Sequence, residues 1–292
     1  MSLPKQWSEQ FIDYEKLVFL GKQCIHRDDC DHHAMARRLL CIACQIDKVF
    51  LIKNSKEIVS AYNINAYYNA IQRFNKFEPL SKIEGIGHFY GLDLEISADT
   101  LDPRPETELL IDLLLETYID TNMPLQILDI GTGSGCLAIS AAKKYPLSQV
   151  TALDISDKAL IIAQRNAKKF EVKDRIRFLH ANQNLTNIDF DDYNVILCNP
   201  PYIPEQAQTY LDASVIHYDP EVALFSGDNG LEFYTILANV ARQTLKKTGC
   251  VIVEFGIGQA KCVKEIFSNN NLHNFKALKD YHNIIRAAKI QF

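Results

Sequence analysis

An α/β fold with a seven-stranded, mostly parallel sheet is what this sequence predicts for its larger, C-terminal part, with a small all-helical module ahead of it. Three observations carry that expectation. From Gln126 onward, strand-like and helical segments alternate, the pattern of parallel-rich sheets. Ile127-Leu128-Asp129-Ile130 runs straight into Gly131-Thr132-Gly133-Ser134-Gly135 and then into the helical Cys136-Leu137-Ala138-Ile139, which is a strand, a glycine loop and a helix start. Between about Glu9 and Phe77, by contrast, apolar residues recur only at helical spacing.

In chain order, Phe11, Tyr14, Leu17 and Val18, then Met35, Leu39, Ala43 and Ile46, mark the helices of a module spanning 1–77. The texture changes over 78–105, with Gly85, Gly87 and Gly91 followed by period-two alternation at Leu92, Leu94 and Ile96, so a β-hairpin linker is expected. Asp102-Pro103-Arg104-Pro105-Glu106-Thr107-Glu108 then opens a helix carrying Leu109, Leu110, Leu113 and Leu114, with proline near the first turn and carboxylates at the positive end of the dipole. The domain that follows, 106–292, reads as strands at about 126–130, 150–154, 175–180, 194–199, 249–255, 274–279 and 284–291, the last two forming a hairpin. Helices are expected at about 135–145, 156–169, 230–247 and 258–269, with Ser156 as an N-cap.

Composition narrows the function classes. A formal net charge of −5 over 292 residues gives no support to extended phosphate-backbone binding, so no stable nucleic-acid partner is expected. The N-terminus has no apolar signal core, and no uninterrupted apolar span could cross a membrane, so a soluble, cytoplasmic monomer is expected. Eight cysteines in a chain this long, several among apolar residues (Cys41, Cys136, Cys198, Cys250), read as core side chains in a reducing compartment. Cys41-Ile-Ala-Cys44 has redox spacing but lies in a helical pattern with no preceding strand. Cys24, His26, Cys30, His32 and His33 crowd a polar stretch but match no standard zinc spacing, so no metal is expected.

The chemistry-bearing residues sit at strand ends. In the glycine loop, glycines allow a tight turn and close approach of a ligand, while the helix start presents unpaired N–H groups. Its G-x-G-x-G pattern does not meet the dinucleotide fingerprint, which weighs against a nicotinamide cofactor. Asp154 closes the next strand, where its carboxylate can accept ribose hydroxyls or cap the following helix. Asp129 can support the loop or attract a positive group. Val195-Ile196-Leu197-Cys198 ends in Asn199-Pro200-Pro201-Tyr202, a rigid corner. The Asn199 side-chain carbonyl and the Pro200 carbonyl supply two acceptors for one planar NH2 group, and Tyr202 supplies an aromatic face. An ordinary strand-end turn would use the same residue types.

Asp129-x-Gly131-x-Gly133-x-Gly135, Asp154 and Asn199-Pro-Pro-Tyr202, in that order on successive strand ends, resemble a class I S-adenosylmethionine-dependent methyltransferase acting on an amide or amine nitrogen. Glu78-Pro79-Leu80, Phe89-Tyr90-Gly91-Leu92, Pro103-Arg104-Pro105-Glu106-Thr107 and Gly227-x-x-Gly230-Leu231-x-Phe233-Tyr234 extend the likeness to the bacterial peptide chain release factor N5-glutamine methyltransferase family. The resemblance implies a Rossmann-like sheet, S-adenosylmethionine as methyl donor and the glutamine of the Gly-Gly-Gln loop of class 1 release factors as acceptor. It implies that Gly131, Thr132, Gly133, Ser134 and Gly135 line the methionine part of the donor and that Asp154 holds its ribose. Gln183 would lie near the adenine, from an Asn182-Gln183 pair that stands where the family often carries Asp-Trp. Asn199, Pro200, Pro201 and Tyr202 would hold the substrate glutamine, Asn199 also bordering the donor, and the 1–77 module would dock the substrate. Two rival readings stand beside it: an adenine-N6 nucleic-acid methyltransferase, whose flipped base would present a similar amine to the same corner, and a non-catalytic adaptor that keeps the fold and binds a translation protein.

Overall fold

The computed structural model describes residues 3–7, 11–181, 185 and 192–292. Two compact units divide the chain, Met1–Gly85 and Ile86–Phe292. The first is helical: α1 (Tyr14–Cys24), α2 (His32–Cys44), α3 (Lys48–Lys53), α4 (Ala61–Asn75) and α5 (Leu80–Glu84). Asp13, Asp31, Asp47 and Ser60 each sit one residue ahead of a helix and accept a first-turn N–H, satisfying donors that the helix itself cannot. Leu17, Leu39, Leu40, Tyr67 and Ile71 are fully buried in its core. Arg73 on α4 donates to the Lys82 and Ile83 carbonyls, which binds α5 into this unit.

The cysteine and histidine clusters find structural explanations. Cys41 and Cys44 are half-buried thiols packed against the helical core. Burial pushes Cys44 up to about 11, the opposite of the lowered pKa that thiolate chemistry requires. In the polar stretch Asp31 caps α2, His32 bonds the Arg27 carbonyl, and Arg27 pairs with Asp29 while lying over the Phe74 ring at 4.4 Å. Among the described residues no three His, Cys, Asp or Glu side chains are arranged to hold a metal ion. No described helix is long and apolar enough to cross a membrane.

The second unit opens with the hairpin β1 (Ile86–Phe89) and β2 (Leu92–Glu95), turned through Tyr90 and Gly91 at φ 50 and 77, the left-handed pair of a type I′ turn. A single-turn 3₁₀ helix, Pro105–Thr107, leads into α6 (Glu108–Thr117). Then follow β3 (Gln126–Ile130), α7 (Cys136–Lys144), β4 (Gln149–Asp154), α8 (Asp157–Lys169), β5 (Ile176–His180) and β6 (Tyr193–Cys198). After them come α9 (Ala213–Tyr218), α10 (Glu221–Leu224), α11 (Glu232–Thr244), β7 (Leu245–Glu254), α12 (Ala260–Ser268), β8 (Asn274–Lys279) and β9 (Ile285–Gln291). Asn166 on α8 accepts from the Glu95 N–H at 2.7 Å and donates to the Glu95 and Ser134 carbonyls at 2.9 Å, tying the hairpin to the glycine loop.

Strand order is β5-β4-β3-β6-β7-β9-β8, parallel from β5 to β7, with β9 antiparallel to both its neighbours. The central strands are buried on both faces, as their largely apolar sequences require. α6 and α7 cover one face with Leu110, Leu114 and Ile139, and α11 and α12 cover the other with Leu237, Val263 and Phe267. The chain winds outward through β4 and β5 and then returns to the other side of β3 as β6. The carboxyl ends of β3 and β6 therefore flank the topological switch point, where open α/β sheets bind ligands.

Two local expectations differ from the structure. β7 begins at Leu245 rather than near 249, because α11 runs into it without a break and Leu245 already pairs with Tyr193. The stretch between β6 and α11, to which the sequence reading assigns no element, holds a 3₁₀ helix (Glu205–Tyr210), α9 and α10.

Candidate active site

Register alone gathers the site. Leu153 pairs with Ile130, Ile130 with Cys198, and Cys198 with Val253, so Asp154, Gly131, Asn199 and Glu254 stand side by side at the carboxyl ends of four adjacent strands.

The glycine loop folds back on β4. Gly131 and Thr132 donate to the Leu153 carbonyl at 2.9 and 2.8 Å, and Gly133 donates to Asp154 Oδ2 at 2.8 Å. Gly131 and Gly133 have φ of 75 and 55, the left-handed region, and among the described residues an added Cβ on either would meet nothing closer than 3.9 Å. Gly135 has another task. It lies outside the cavity lining as the residue ahead of α7, at φ 85, and a Cβ there would stand 3.2 Å from Ala163 of α8.

Asp129 lies under the loop with no exposed surface. Its Oδ2 accepts from the Thr132 hydroxyl at 2.6 Å and the Ala138 N–H at 3.1 Å, while Oδ1 is buried without a hydrogen-bond partner among the described residues. Burial pushes this carboxyl up to about 7, against the lowering effect of those two bonds. Asp154 is likewise raised by burial, although Gly133 and Ser156 donate to its two oxygens. Each of those oxygens keeps a lone pair for a ligand hydroxyl.

A cavity of about 300 Å³ spreads over this loop, bounded by Gly131, Thr132, Gly133, Ser134, Asp154 and Asn199. Pro200 and Pro201 also border it. A second cavity, about 250 Å³, is lined by Arg104, Glu106, Asn199, Pro200, Tyr202 and Glu254 among others. Asn199 and Pro200 thus form a wall common to both cavities, and Tyr202 faces only the second. Gln183, expected near an adenine, lies outside the described residues.

A buried relay holds the corner. Asn199 Nδ2 donates to Thr107 Oγ1 at 2.9 Å, Thr107 Oγ1 donates to Glu254 Oε2 at 2.6 Å, and the Tyr202 hydroxyl donates to Glu254 Oε1 at 3.4 Å. Thr107 and Glu254 are both 1% exposed. Burial pushes Glu254 up to about 7, opposed by Thr107 and Arg286. With Nδ2 engaged, Asn199 Oδ1 and the Pro200 carbonyl are left without a donor among the described residues. Gln259 fixes the backbone from behind, donating to the Tyr202 carbonyl at 2.9 Å and the Gly230 carbonyl at 3.2 Å. Arg104 pairs with Asp219 at 2.5 Å, joining the Pro-Arg-Pro turn to the end of α9.

The structure therefore brings Gly131 to Ser134, Asp154 and Asn199 to Pro201 to one cavity, and Asn199, Pro200 and Tyr202 to the cavity that adjoins it. Sequence reasoning missed Glu254 and Gln259 and assigned Thr107 no contact. A carboxylate closing the apolar run Val251-Ile252-Val253 was the available signal for the first; nothing local marks the second.

The sheet order, the glycine loop at the switch point and the Asn-Pro-Pro-Tyr corner define a class I methyltransferase domain. A family profile described as "Methyltransferase small domain" matches residues 96–224. The solved structure described as the "hMettl16 catalytic domain in complex with MAT2A 3'UTR hairpin 6" superposes with a TM-score of 0.57 at 16% identity, over 81% of this chain and 85% of that one, a likeness of fold. The chain is 33% identical over 280 residues to the release factor glutamine methyltransferase of Francisella tularensis, covering 96% of this chain and 98% of that protein. It belongs to the release factor glutamine methyltransferase family. It is also 34% identical over 260 residues to the bifunctional methyltransferase of Rickettsia typhi, and there the match, 82% of this chain, spans about 50% of the longer protein.

Proposed function

We propose that this protein transfers a methyl group from S-adenosylmethionine to the side-chain amide nitrogen of the glutamine in the Gly-Gly-Gln loop of class 1 peptide chain release factors. The observation that carries the reading is the shared wall: Asn199 and Pro200 border both cavities, so a donor in one and an amide in the other would meet there.

The residues present fit the donor. Asp129 Oδ1, buried without a hydrogen-bond partner among the described residues, suits a positively charged group, the space above Gly131 and Gly133 allows backbone approach, and Asp154 retains acceptor capacity for a ribose. When bound, S-adenosylmethionine supplies a sulfonium-activated methyl group. Everything else is the protein's task. An amide nitrogen is a poor nucleophile because its lone pair is delocalised into the carbonyl. Asn199 Oδ1 and the Pro200 carbonyl accept its two N–H bonds, and these bonds strengthen as positive charge develops on nitrogen, where binding accelerates chemistry. The second cavity aligns that nitrogen with the donor. No general base is needed, because the proton leaves after transfer.

The protein acts as a cytoplasmic monomer in this reading, and its helical unit docks the release factor outside the glutamine loop, using exposed apolar side chains such as Phe19 and Tyr62. Incubating purified release factor with enzyme and donor, then sequencing by mass spectrometry, tests the activity. One added methyl on the Gly-Gly-Gln peptide is expected; an unmodified peptide contradicts it.

A further inference from the structure

We infer that Glu254, acting through Thr107, sets which end of the Asn199 side-chain amide faces the acceptor cavity, so that both are positioning residues for the transfer. The inference rests on the acceptor role of Asn199 proposed above.

An amide side chain has two ends of nearly equal size, one an acceptor and one a donor pair. Only the acceptor end helps here. A half-turn of Asn199 would point Nδ2 at the substrate's own N–H groups, donor against donor. What decides the matter is the single hydrogen of Thr107. An ionised Glu254 offers only acceptors, so the Thr107 hydroxyl donates to Oε2 at 2.6 Å. Thr107 Oγ1 can then only accept from Asn199, which draws Nδ2 to it at 2.9 Å and leaves Oδ1 toward the cavity. A Glu254 protonated on Oε2, with Oε1 left to accept from Tyr202, reverses the order. It donates to Thr107, whose hydrogen turns to Asn199, and Oδ1 is the end it attracts. Burial of the relay, at 1% exposure for Thr107 and Glu254, keeps water from substituting for either link.

The groups around Glu254 fix its proton. From the turn ahead of α6 come Glu106, which opposes ionisation, and Arg104, which lines the same cavity. Arg286 on β9 favours the carboxylate, and the Tyr202 hydroxyl donates to Oε1. From β6 and α7 come Cys198 and Cys136, and from α11 Tyr234, whose hydroxyl donates to the Glu254 carbonyl; burial raises all three and keeps them neutral near pH 7. Burial leaves Glu254 itself at about 7. The relay therefore points the productive way above that pH and loses its direction below it.

Two readouts test this, one independent of activity. In the protein without acceptor, the side-chain NH2 resonances of Asn199, assigned by their absence in Asn199→Ala, should titrate near pH 7 and cease to do so in Glu254→Gln. In methylation of intact release factor, wild-type kcat should fall roughly tenfold per pH unit below about 7. Thr107→Val should lower kcat by about 10²-fold with cofactor Kd unchanged, and Thr107→Ser, which keeps the hydroxyl, should restore it to within a few-fold. Asp129 also titrates near 7, so an acid limb that persists in Glu254→Gln assigns the limb to Asp129 and overturns the inference. Asn199 resonances that do not move with pH overturn it too, whether or not Thr107→Val is stable enough to assay. Failure of the proposed function looks different: wild-type enzyme would leave the release factor unmethylated while the Asn199 resonances still titrate.

Discussion

Replacing Gly230 by alanine should disable catalysis from the back of the active site. Gly230 lies at φ 71, and an ideal Cβ there falls inside the van der Waals surface of the Tyr202 carbonyl oxygen, which would have to retreat by about 1 Å to reach ordinary contact. Gln259 holds that oxygen at 2.9 Å, and the residue just ahead of Tyr202 follows directly from Pro200, so the displacement reaches the Asn199-Pro200 acceptors. A left-handed alanine costs about 1–2 kcal/mol in backbone strain alone. An acceptor misplaced by about 1 Å costs on the order of 10²-fold in turnover. Gly91 provides the control, since it has φ 77 with nothing among the described residues within 4 Å of an added Cβ. Gly91→Ala should show the strain penalty and near-normal kcat; Gly230→Ala should show a similar or larger stability loss, a kcat reduced about 10²-fold and a cofactor Kd within a few-fold of wild type. The assay pairs steady-state methylation with calorimetric cofactor titration. If Gly230→Ala loses stability but keeps kcat within threefold, the corner's position does not govern the reaction and the reasoning fails.

Asn199→Ala should lower kcat by about 10²–10³-fold while sparing cofactor affinity, and an unchanged rate would remove Asn199 from the mechanism. Asp154→Ala frees the Gly133 and Ser156 N–H groups and should weaken donor binding by roughly 10²-fold in calorimetry; a Kd within threefold would count against a ribose at this site. Asp129 rises on folding from 3.8 to about 7, so the folded protein binds its proton more tightly and stability declines as pH rises through that window, levelling above it. Asp129→Asn removes that decline, and β3 hydrogen exchange should show the variant gaining on wild type by about 3 kcal/mol between pH 5 and pH 8. A gap independent of pH would contradict the buried-carboxyl assignment. Phe19→Glu on the helical unit, where Phe19 is 60% exposed, should raise KM for intact release factor and leave KM for a Gly-Gly-Gln peptide alone; equal KM values for the factor would argue against docking through this face.

What the sequence reveals follows the range of the forces involved. Strands such as β3 and β6 are legible because burial on both faces demands apolar residues at consecutive positions, as in Ile127-Leu128 and Val195 to Cys198, and the glycine loop because left-handed backbone demands glycine at fixed spacing. α9 and α10 are not legible. They are two turns or shorter, lack side-chain caps, and are held by partners distant in sequence: Asp219 by Arg104, and Phe225 by its bridge to Ile203. The unit boundary after Gly85 lies beyond the composition shift at Glu78 because Arg73 reaches forward to the α5 carbonyls. In the site, Asn199 announces itself through its prolines, whereas the Thr107 and Glu254 that orient it stand 92 and 147 residues away along the relay's successive links.

The acceptor is the heart of the account, and labelled S-adenosylmethionine offered to three acceptors tests it most directly. The three are intact release factor, the same factor with its Gly-Gly-Gln glutamine changed to alanine, and adenine-containing DNA. Label on the intact factor alone is the predicted result. Label on the DNA, or on the alanine variant as strongly as on the intact factor, would contradict it.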